Sequence, residues 1–318
     1  MEADEVTVVF AADNAYSRPL TTAARSVIAT LAPVHRLRLC VLDMGIDAQN
    51  RAAMESTFEN ERVELLWVDS LRDRVVDLPN TWTAITRATY GRLFIPEVLP
   101  GSVERALYLD CDVMARRSVG DLFFADMNEN AALATYDVQS PFVSTVSAVP
   151  LWFDAGRSAD DPNFNAGVML MDLAAWRSDD LSGEALRYLT DGRHHFAQDQ
   201  EAINVVLAGR IGQMDPRWNQ QAEIFWAEHA VTQPYGSDFL ALVRADPWIV
   251  HFSNSSKPWN YGIEHPFLDE WYANLDQTAY AGWRPHGPTR KQRIVKRGAG
   301  VARSVGRRVG LLASGESA

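Results

Sequence analysis

Ala106-Leu-Tyr-Leu-Asp-Cys-Asp-Val113 is the stretch around which this chain is organised. Apolar and aromatic residues run straight into two carboxylates, Asp110 and Asp112. The pattern predicts a buried strand that ends at a polar rim. Side chains alternate faces along a strand, so residues two apart project together. Asp110 and Asp112 are therefore expected on one side and Cys111 on the other. Two neighbouring carboxylates repel, and a hard cation relieves the repulsion. Carboxylates suit Mg²⁺ or Mn²⁺, ions that commonly take substrate phosphate oxygens as further ligands. A short Asp-x-Asp pattern recurs by chance in a chain with 25 Asp. Its position gives it weight, because open α/β sheets bind ligands at the C-terminal ends of their strands.

Working outward, Val6 to Ala12 is an apolar, β-branched run that reads as the first strand, with Asp13 to Tyr16 as a polar turn. Leu20 to Leu31 reads as a helix stopped by Pro33. Leu37 to Leu42, Ala48 to Phe58 and Val63 to Val68 continue as strand, helix and strand. This β-α-β-α-β order predicts an α/β fold, a mostly parallel sheet covered by helices. Neither a G-x-G-x-x-G nor a G-x-x-x-x-G-K-[ST] fingerprint is present, which excludes a dinucleotide fold of the usual kind and a P-loop. Thr83 to Val98 reads as a helix carrying Arg87 and Arg92. Beyond the central strand, Leu122 to Phe124 closes a short amphipathic segment, and Ala131 to Tyr136 is a strand ending at Asp137. Gln139 to Pro162 has no period, and a loop of that length is expected to be functional, as a lid over a bound donor. Phe164 to Asp172 returns to strand character. Leu173 to Leu189 and Gln198 to Leu207 read as helices, Ile249 to Phe252 as a last strand and Pro266 to Leu275 as a closing helix. Trp283 to Pro288 marks a boundary.

The 318 residues suffice for one large domain or two small ones, and 47% hydrophobic with 22% charged residues is an ordinary globular balance. No apolar run reaches the roughly 18 residues of a transmembrane helix. The acidic start, Met-Glu-Ala-Asp-Glu, lacks the basic and apolar regions of a signal peptide. Cys40 and Cys111 sit in apolar runs, as thiols of a reducing cytoplasm would. The net charge of −11 is uneven: nine Lys/Arg and no acid lie between Arg284 and Arg308, leaving 21 basic against 41 acidic residues elsewhere. The body is unsuited to nucleic acid. The tail suits an anionic partner. Ile294, Val301, Val305, Val309 and Leu312 recur at helical spacing among its basic residues, the pattern of an interfacial membrane helix. Gly298, Gly300, Gly306 and Gly310, at about 1 kcal/mol each in a helix, favour a solvated tail instead.

His251 is a further candidate ligand, although a histidine in an apolar strand also serves as a core residue. A small polar loop carrying Lys257 follows it, and a cation beside a metal would neutralise a diphosphate leaving group. Asn165, Asp199 and Gln200 flank apolar runs, where they can cap helices or bind sugar hydroxyls.

Together, Leu107-Tyr-Leu-Asp-Cys-Asp112, Phe164-Asn-Ala-Gly167, Asp199-Gln200 with Asn204, and His251 with Lys257-Pro-Trp259 resemble glycosyltransferase family 8 in order and spacing. That family contains bacterial lipopolysaccharide glucosyl- and galactosyltransferases and glycogenin, and the likeness spans about residues 6 to 272. It implies a GT-A fold over residues 1–283, with a donor half to about 113, an acceptor half beyond, and a basic tail over 284–318. It implies a cytoplasmic, retaining transferase that moves a hexose from UDP to a glycan, lipid-linked or small-molecule hydroxyl. Peripheral association with an anionic membrane surface would run through the tail. Carried over by position, Asp110, Asp112 and His251 would hold Mn²⁺ or Mg²⁺, and Lys257 would meet the diphosphate. Ala11, Asp13 and Tyr16 would line the nucleoside site, with Tyr16 stacked on uracil. Thr89 and Arg92 would hold the donor near the metal, and Asp137, Asn165, Ala166, Asp199 and Gln200 would surround its sugar. With only Gln200 on the far face, same-face attack on a short-lived oxocarbenium is the implied route.

Two positions depart from the family pattern: Ala15 stands where Asn is usual, with Asn14 one place early, and Asn254 stands where Gly is usual. Asn is the commonest non-glycine residue at positive φ, so the loop after His251 is expected to survive. A nucleotide-sugar-binding protein without turnover and a sugar-nucleotide-forming nucleotidyltransferase remain as alternatives. The latter would want a Gly- and Lys/Arg-rich loop after the first strand, which Ala11 to Arg18 lacks.

Overall fold

Strands β1 (Asp4–Ala12), β2 (His35–Asp43) and β3 (Val63–Val68) are parallel, with helices Ser17–Thr30 and Ala48–Phe58 as their crossovers. The structure, a computed structural model, describes residues 4–287 except 60, 80–85, 146–147, 150–151, 154–155, 192–197, 227–234 and 255–256. β4 (Arg105–Leu109) joins β1 in parallel, with Val8 opposite Leu107. After β5 (Val113–Ala115) come β6 (Ala132–Tyr136), β7 (Phe164–Asp172), β8 (Ile211–Gln213), β9 (Gln220–Gln221) and β10 (Ile249–His251). The large sheet has the order β3-β2-β1-β4-β7-β6-β8, in which β7 alone runs against the others. A small second sheet has the order β5-β10-β9.

Both faces of the large sheet are covered, so its central strands are apolar on both sides. Val6, Val8 and Phe10 pack with Leu20, Leu39, Leu107 and Val168 on one face. Val9 and Ala11 pack with Cys40, Tyr108, Met169 and Trp176 on the other. The site lies where the chain passes between sheets. β4 ends at Leu109, Asp110 N–H donates to Gly167 O at 2.7 Å, and after three intervening residues β5 begins at Val113. β10 pairs with β5 so that His251 faces Val113, and Phe252 N–H donates to Asp112 O at 2.8 Å. Main-chain pairing alone thus carries His251 to the two aspartates.

Two expected helices differ. Within Thr83 to Val98, residues 83–85 lie outside the described residues, Arg87–Phe94 is a 3₁₀ helix and only Ile95–Val98 is α-helical. Pro96 accounts for this: it fits the first turn of an α-helix but not its interior. The helix expected over Leu173 to Leu189 breaks into Leu173–Ser178 and Leu181–Thr190. At the break Asp179 ion-pairs with Arg210 at 2.6 Å and Asp180 takes a φ of 50°. The stretch from Gln139 to Pro162 is anchored in its described parts by a bridge between Phe142 and Pro162 and by buried Val143 and Val149. The tail stripe from Ile294 to Leu312 lies outside the described residues. Among those described, no helix is long and apolar enough to cross a membrane.

Candidate active site

Asp110 and Asp112 project together, as the strand reading expects, while Cys111 turns into the core and its thiol donates to Ala11 O at 3.3 Å. One ligand atom from each of Asp110, Asp112 and His251 lies within 4.8 Å of the others. His251 Nε2 is 3.3 Å from Asp112 Oδ1 and 3.9 Å from Asp110 Oδ2. The Lys257 ammonium also pairs with Asp112. Burial pushes the Asp112 carboxyl up, but Lys257 and His251 outweigh it and hold the group well below the usual carboxylate range. Burial likewise opposes charge on His251, and Asp112 outweighs it.

Gly167 forms the floor of this cluster. A Cβ there would lie 2.4 Å from His251 Cε1 and 2.7 Å from Asp110 Oδ2. Only glycine leaves the ligand atoms their room.

Behind Asp110 stands Arg92, itself buried. It donates to Asp110 Oδ1 at 2.8 Å and to Ala166 O at 2.6 Å, and its Nε faces Asp199 Oδ2 at 2.8 Å. Burial works against its charge, and Asp110 and Asp199 outweigh that penalty. Thr89 donates to Asp199 Oδ1 at 2.9 Å, and Tyr108 OH donates to Asp110 Oδ1 at 2.9 Å. Arg92, Thr89 and Asp199 thus form a layer that holds Asp110 and the backbone at Ala166 in place. Burial raises the Asp199 carboxyl against the pull of Arg92.

Of the residues expected around the sugar, Asp137, Asn165, Ala166 and Gln200 are together, whereas Asp199 belongs to the buried layer with Arg92 and Thr89. Gln200 Nε2 donates to Asp137 Oδ2 at 3.0 Å, and Ala166 N–H donates to Gln200 Oε1 at 3.1 Å. Asn165 Nδ2 donates to Asp137 Oδ2 at 3.2 Å. Asn204 ties this group to the strand by accepting from Phe164 N–H at 2.7 Å.

Ala11, one residue from the end of β1, packs beside Gly91, and Asp13 caps the short turn that follows, accepting from Ala15 N–H at 3.0 Å. Tyr16 is half-buried and meets Trp259 edge-on at 5.6 Å between centroids. Burial pushes its phenol well up, so it stays neutral. A cleft of about 190 Å³ opens beside Asp13, walled by Met44, Arg72, Val75, Thr86 and Arg87 among others. The two departures have local explanations. Asn14 faces the helix Ala48–Phe58, exchanging hydrogen bonds of 2.8 and 3.0 Å with Asp47. Asn254 takes a φ of 53°, the conformation a glycine would supply, and its amide donates to Glu223.

Sequence reasoning did not single out the roles of Gly167, Tyr108 and Asn219. Gly167 stood inside a quoted motif, but only the packing shows what a side chain there would strike. Asn219 Oδ1 lies 2.8 Å from His251 Nδ1, and no local pattern in Trp218-Asn-Gln-Gln221 signals that contact.

Comparison with known proteins agrees with this geometry. A model of glycosyl transferase family 8 matches residues 7–262. General stress protein A of Bacillus subtilis (strain 168) is 27% identical over 289 residues, 88% of this chain and 96% of that one. Lipopolysaccharide 1,2-glucosyltransferase of Escherichia coli (strain K12) is 25% identical over 232 residues, 70% of this chain and 63% of that one. The crystal structure of galactosyltransferase LgtC, in complex with donor and acceptor sugar analogues, aligns with a TM-score of 0.69 at 26% identity. That alignment covers 86% of this chain and 96% of LgtC. The sheet order, the switch between sheets at the carboxylates and these likenesses define a glycosyltransferase of GT-A type. Within that class, the chain belongs to glycosyl transferase family 8.

Proposed function

We propose that the enzyme transfers a hexose, glucose or galactose, from a UDP-sugar to a hydroxyl of a glycan, lipid-linked or small-molecule acceptor, with retention of configuration. The observation that carries this reading is the cluster of Asp110, Asp112 and His251 over Gly167. Two carboxylate oxygens and one imidazole nitrogen suit Mn²⁺ or Mg²⁺, and the bare Gly167 leaves room for an ion. A metal held there supplies positive charge against the departing diphosphate. Lys257 adds a second cation, moving from Asp112 to the diphosphate. Asp13, beside the cleft, and Tyr16 take the uracil, within a donor half that extends to about residue 113. Asp137, Asn165 and Gln200 orient the sugar. Gln200 presents an amide dipole and no nucleophile, which fits same-face attack. The lipopolysaccharide glucosyltransferase from Escherichia coli and lipopolysaccharide 1,3-galactosyltransferase from Salmonella typhimurium among the relatives support a hexose donor.

A screen of UDP-sugars for UDP release tests the reading. UDP-glucose or UDP-galactose should be turned over in Mn²⁺, and EDTA should stop the reaction. Binding of a UDP-sugar with no turnover, across a panel of sugar acceptors, would favour a binding protein instead. Gln200→Ala should lower kcat roughly a hundredfold and leave the donor KM nearly unchanged, because the amide acts on charge that develops during transfer. A change confined to KM would make Gln200 an ordinary binding residue.

A further inference from the structure

Asn219 ends a short 3₁₀ helix, Pro216–Asn219, and is 1% exposed. Nothing above gives it a function. Its amide lies between His251 and Asn165, 2.8 Å from His251 Nδ1 through Oδ1 and 2.9 Å from Asn165 Oδ1 through Nδ2. An amide can be turned either way, so its orientation must be argued from a group that cannot. The backbone supplies one. Gly167 N–H donates to Asn165 Oδ1 at 3.0 Å, and a backbone N–H only donates. The oxygen of Asn165 is therefore the end that faces Gly167 and Asn219. Asn219 must then turn its NH₂ to that oxygen and its own oxygen to His251. An amide oxygen only accepts, so the proton of the neutral imidazole sits on Nδ1. Nε2 is left with its lone pair on the side of Asp110 and Asp112.

We propose that Asn219 is a positioning residue that locks His251 in the Nδ1–H tautomer and so makes Nε2 a metal donor. The inference rests on the metal reading above. Metal-bound histidines characteristically give their second ring N–H to such an acceptor, which fixes both tautomer and ring angle. Here the acceptor also links two halves of the site. Asn165, which receives the Asn219 NH₂, donates in turn to Asp137 Oδ2 and to Gln200 Oε1 at 3.2 and 3.3 Å. The ring that would hold the metal and the amides that would hold the sugar share one hydrogen-bonded frame.

The test uses the full chain with a ¹⁵N-labelled imidazole, metal-free and at alkaline pH, and separately Mn²⁺ binding followed by electron paramagnetic resonance. In the wild type, His251 should show the Nδ1–H pattern. The Nε2–H pattern there overturns the proposal without any variant. Asn219→Leu keeps the volume and removes the acceptor. It should give a mixture of tautomers and raise the Mn²⁺ dissociation constant by about 10- to 100-fold. Asn219→Asp keeps an acceptor on His251 and loses the donor to Asn165. It should restore the Nδ1–H pattern and hold Mn²⁺ affinity within about threefold, while kcat stays low because Asn165 is released. A folded Asn219→Leu protein with wild-type spectrum and affinity overturns the proposal, as a purely structural role would predict. Failure of the wild type to bind Mn²⁺ overturns the metal reading instead, and the tautomer spectrum still decides what Asn219 does to His251.

Discussion

Asp110→Asn and Asp112→Asn should each cut hexose transfer by about a thousandfold or more while leaving the protein folded. Asparagine keeps the volume and one acceptor oxygen but removes the charge that an Mn²⁺ ion needs. A bound metal contributes several kcal/mol to a transition state with a departing phosphate, and about 4 kcal/mol is a thousandfold. The fold should survive for different reasons at the two positions. With Asp110 neutral, Arg92 keeps its ion pair with Asp199 and its bond to Ala166 O. With Asp112 neutral, Lys257 loses a partner but sits at the rim of the site, where its flexible ammonium reaches water. The checks are initial rates at saturating donor and the thermal midpoint of each variant. If both variants retain activity and EDTA leaves the wild type unaffected, the metal assignment is wrong.

Gly167→Ala should be nearly as damaging, although it adds a single methyl group. That methyl would lie 2.4 Å from His251 Cε1, closer than any real contact, with Asp110 Oδ2 at 2.7 Å and Asn165 Oδ1 at 3.0 Å. Neither neighbour can give way cheaply: His251 is held by β10 and Asn219, and Asp110 by Arg92 and Tyr108. Misplacing reacting groups by about 1 Å costs on the order of a hundredfold. Overpacking should destabilise the protein by roughly 1–3 kcal/mol. Weakened Mn²⁺ binding together with a lowered kcat is the expected signature. Unchanged values for both would mean that the ligands do not converge over Gly167.

The strands at the centre of the fold were legible because buried parallel strands are runs of apolar residues with little else to be. The Asp110–Asp112 pair was legible for the same reason, since alternation along a strand sets its geometry. His251 could be suspected from its place at a strand end. The three-residue strands β5 and β8 and the two-residue β9 were not legible, because their pairing depends on partners far away in the chain and not on their own composition. Arg92 could be linked to the donor only by resemblance. Its ion pairs with Asp110 and Asp199 need the 3₁₀ segment, which an α-helical reading of Thr83 to Val98 replaces with a different face. Asn219 was invisible, since an Asn after a Trp has no periodicity to betray a contact with a histidine two strands on.

The switch from β4 to β5 also bears on how the protein is made. The two aspartates are translated in the first half of the chain, but their third partner lies on β10, near the end of the described structure. Contacts so distant in sequence close late, because loop-closure entropy must be offset before they form. As the polypeptide leaves the ribosome, β1 to β4 can pair while Arg92 and Tyr108 are available to Asp110 and the His251 imidazole is not. His251 arrives only after about 140 further residues have been synthesised. A nascent chain therefore exposes an acidic notch with no histidine over it for much of its translation. Mn²⁺ capture at these three side chains would mark a finished molecule and, by binding only the native form, would bias the folding equilibrium towards it.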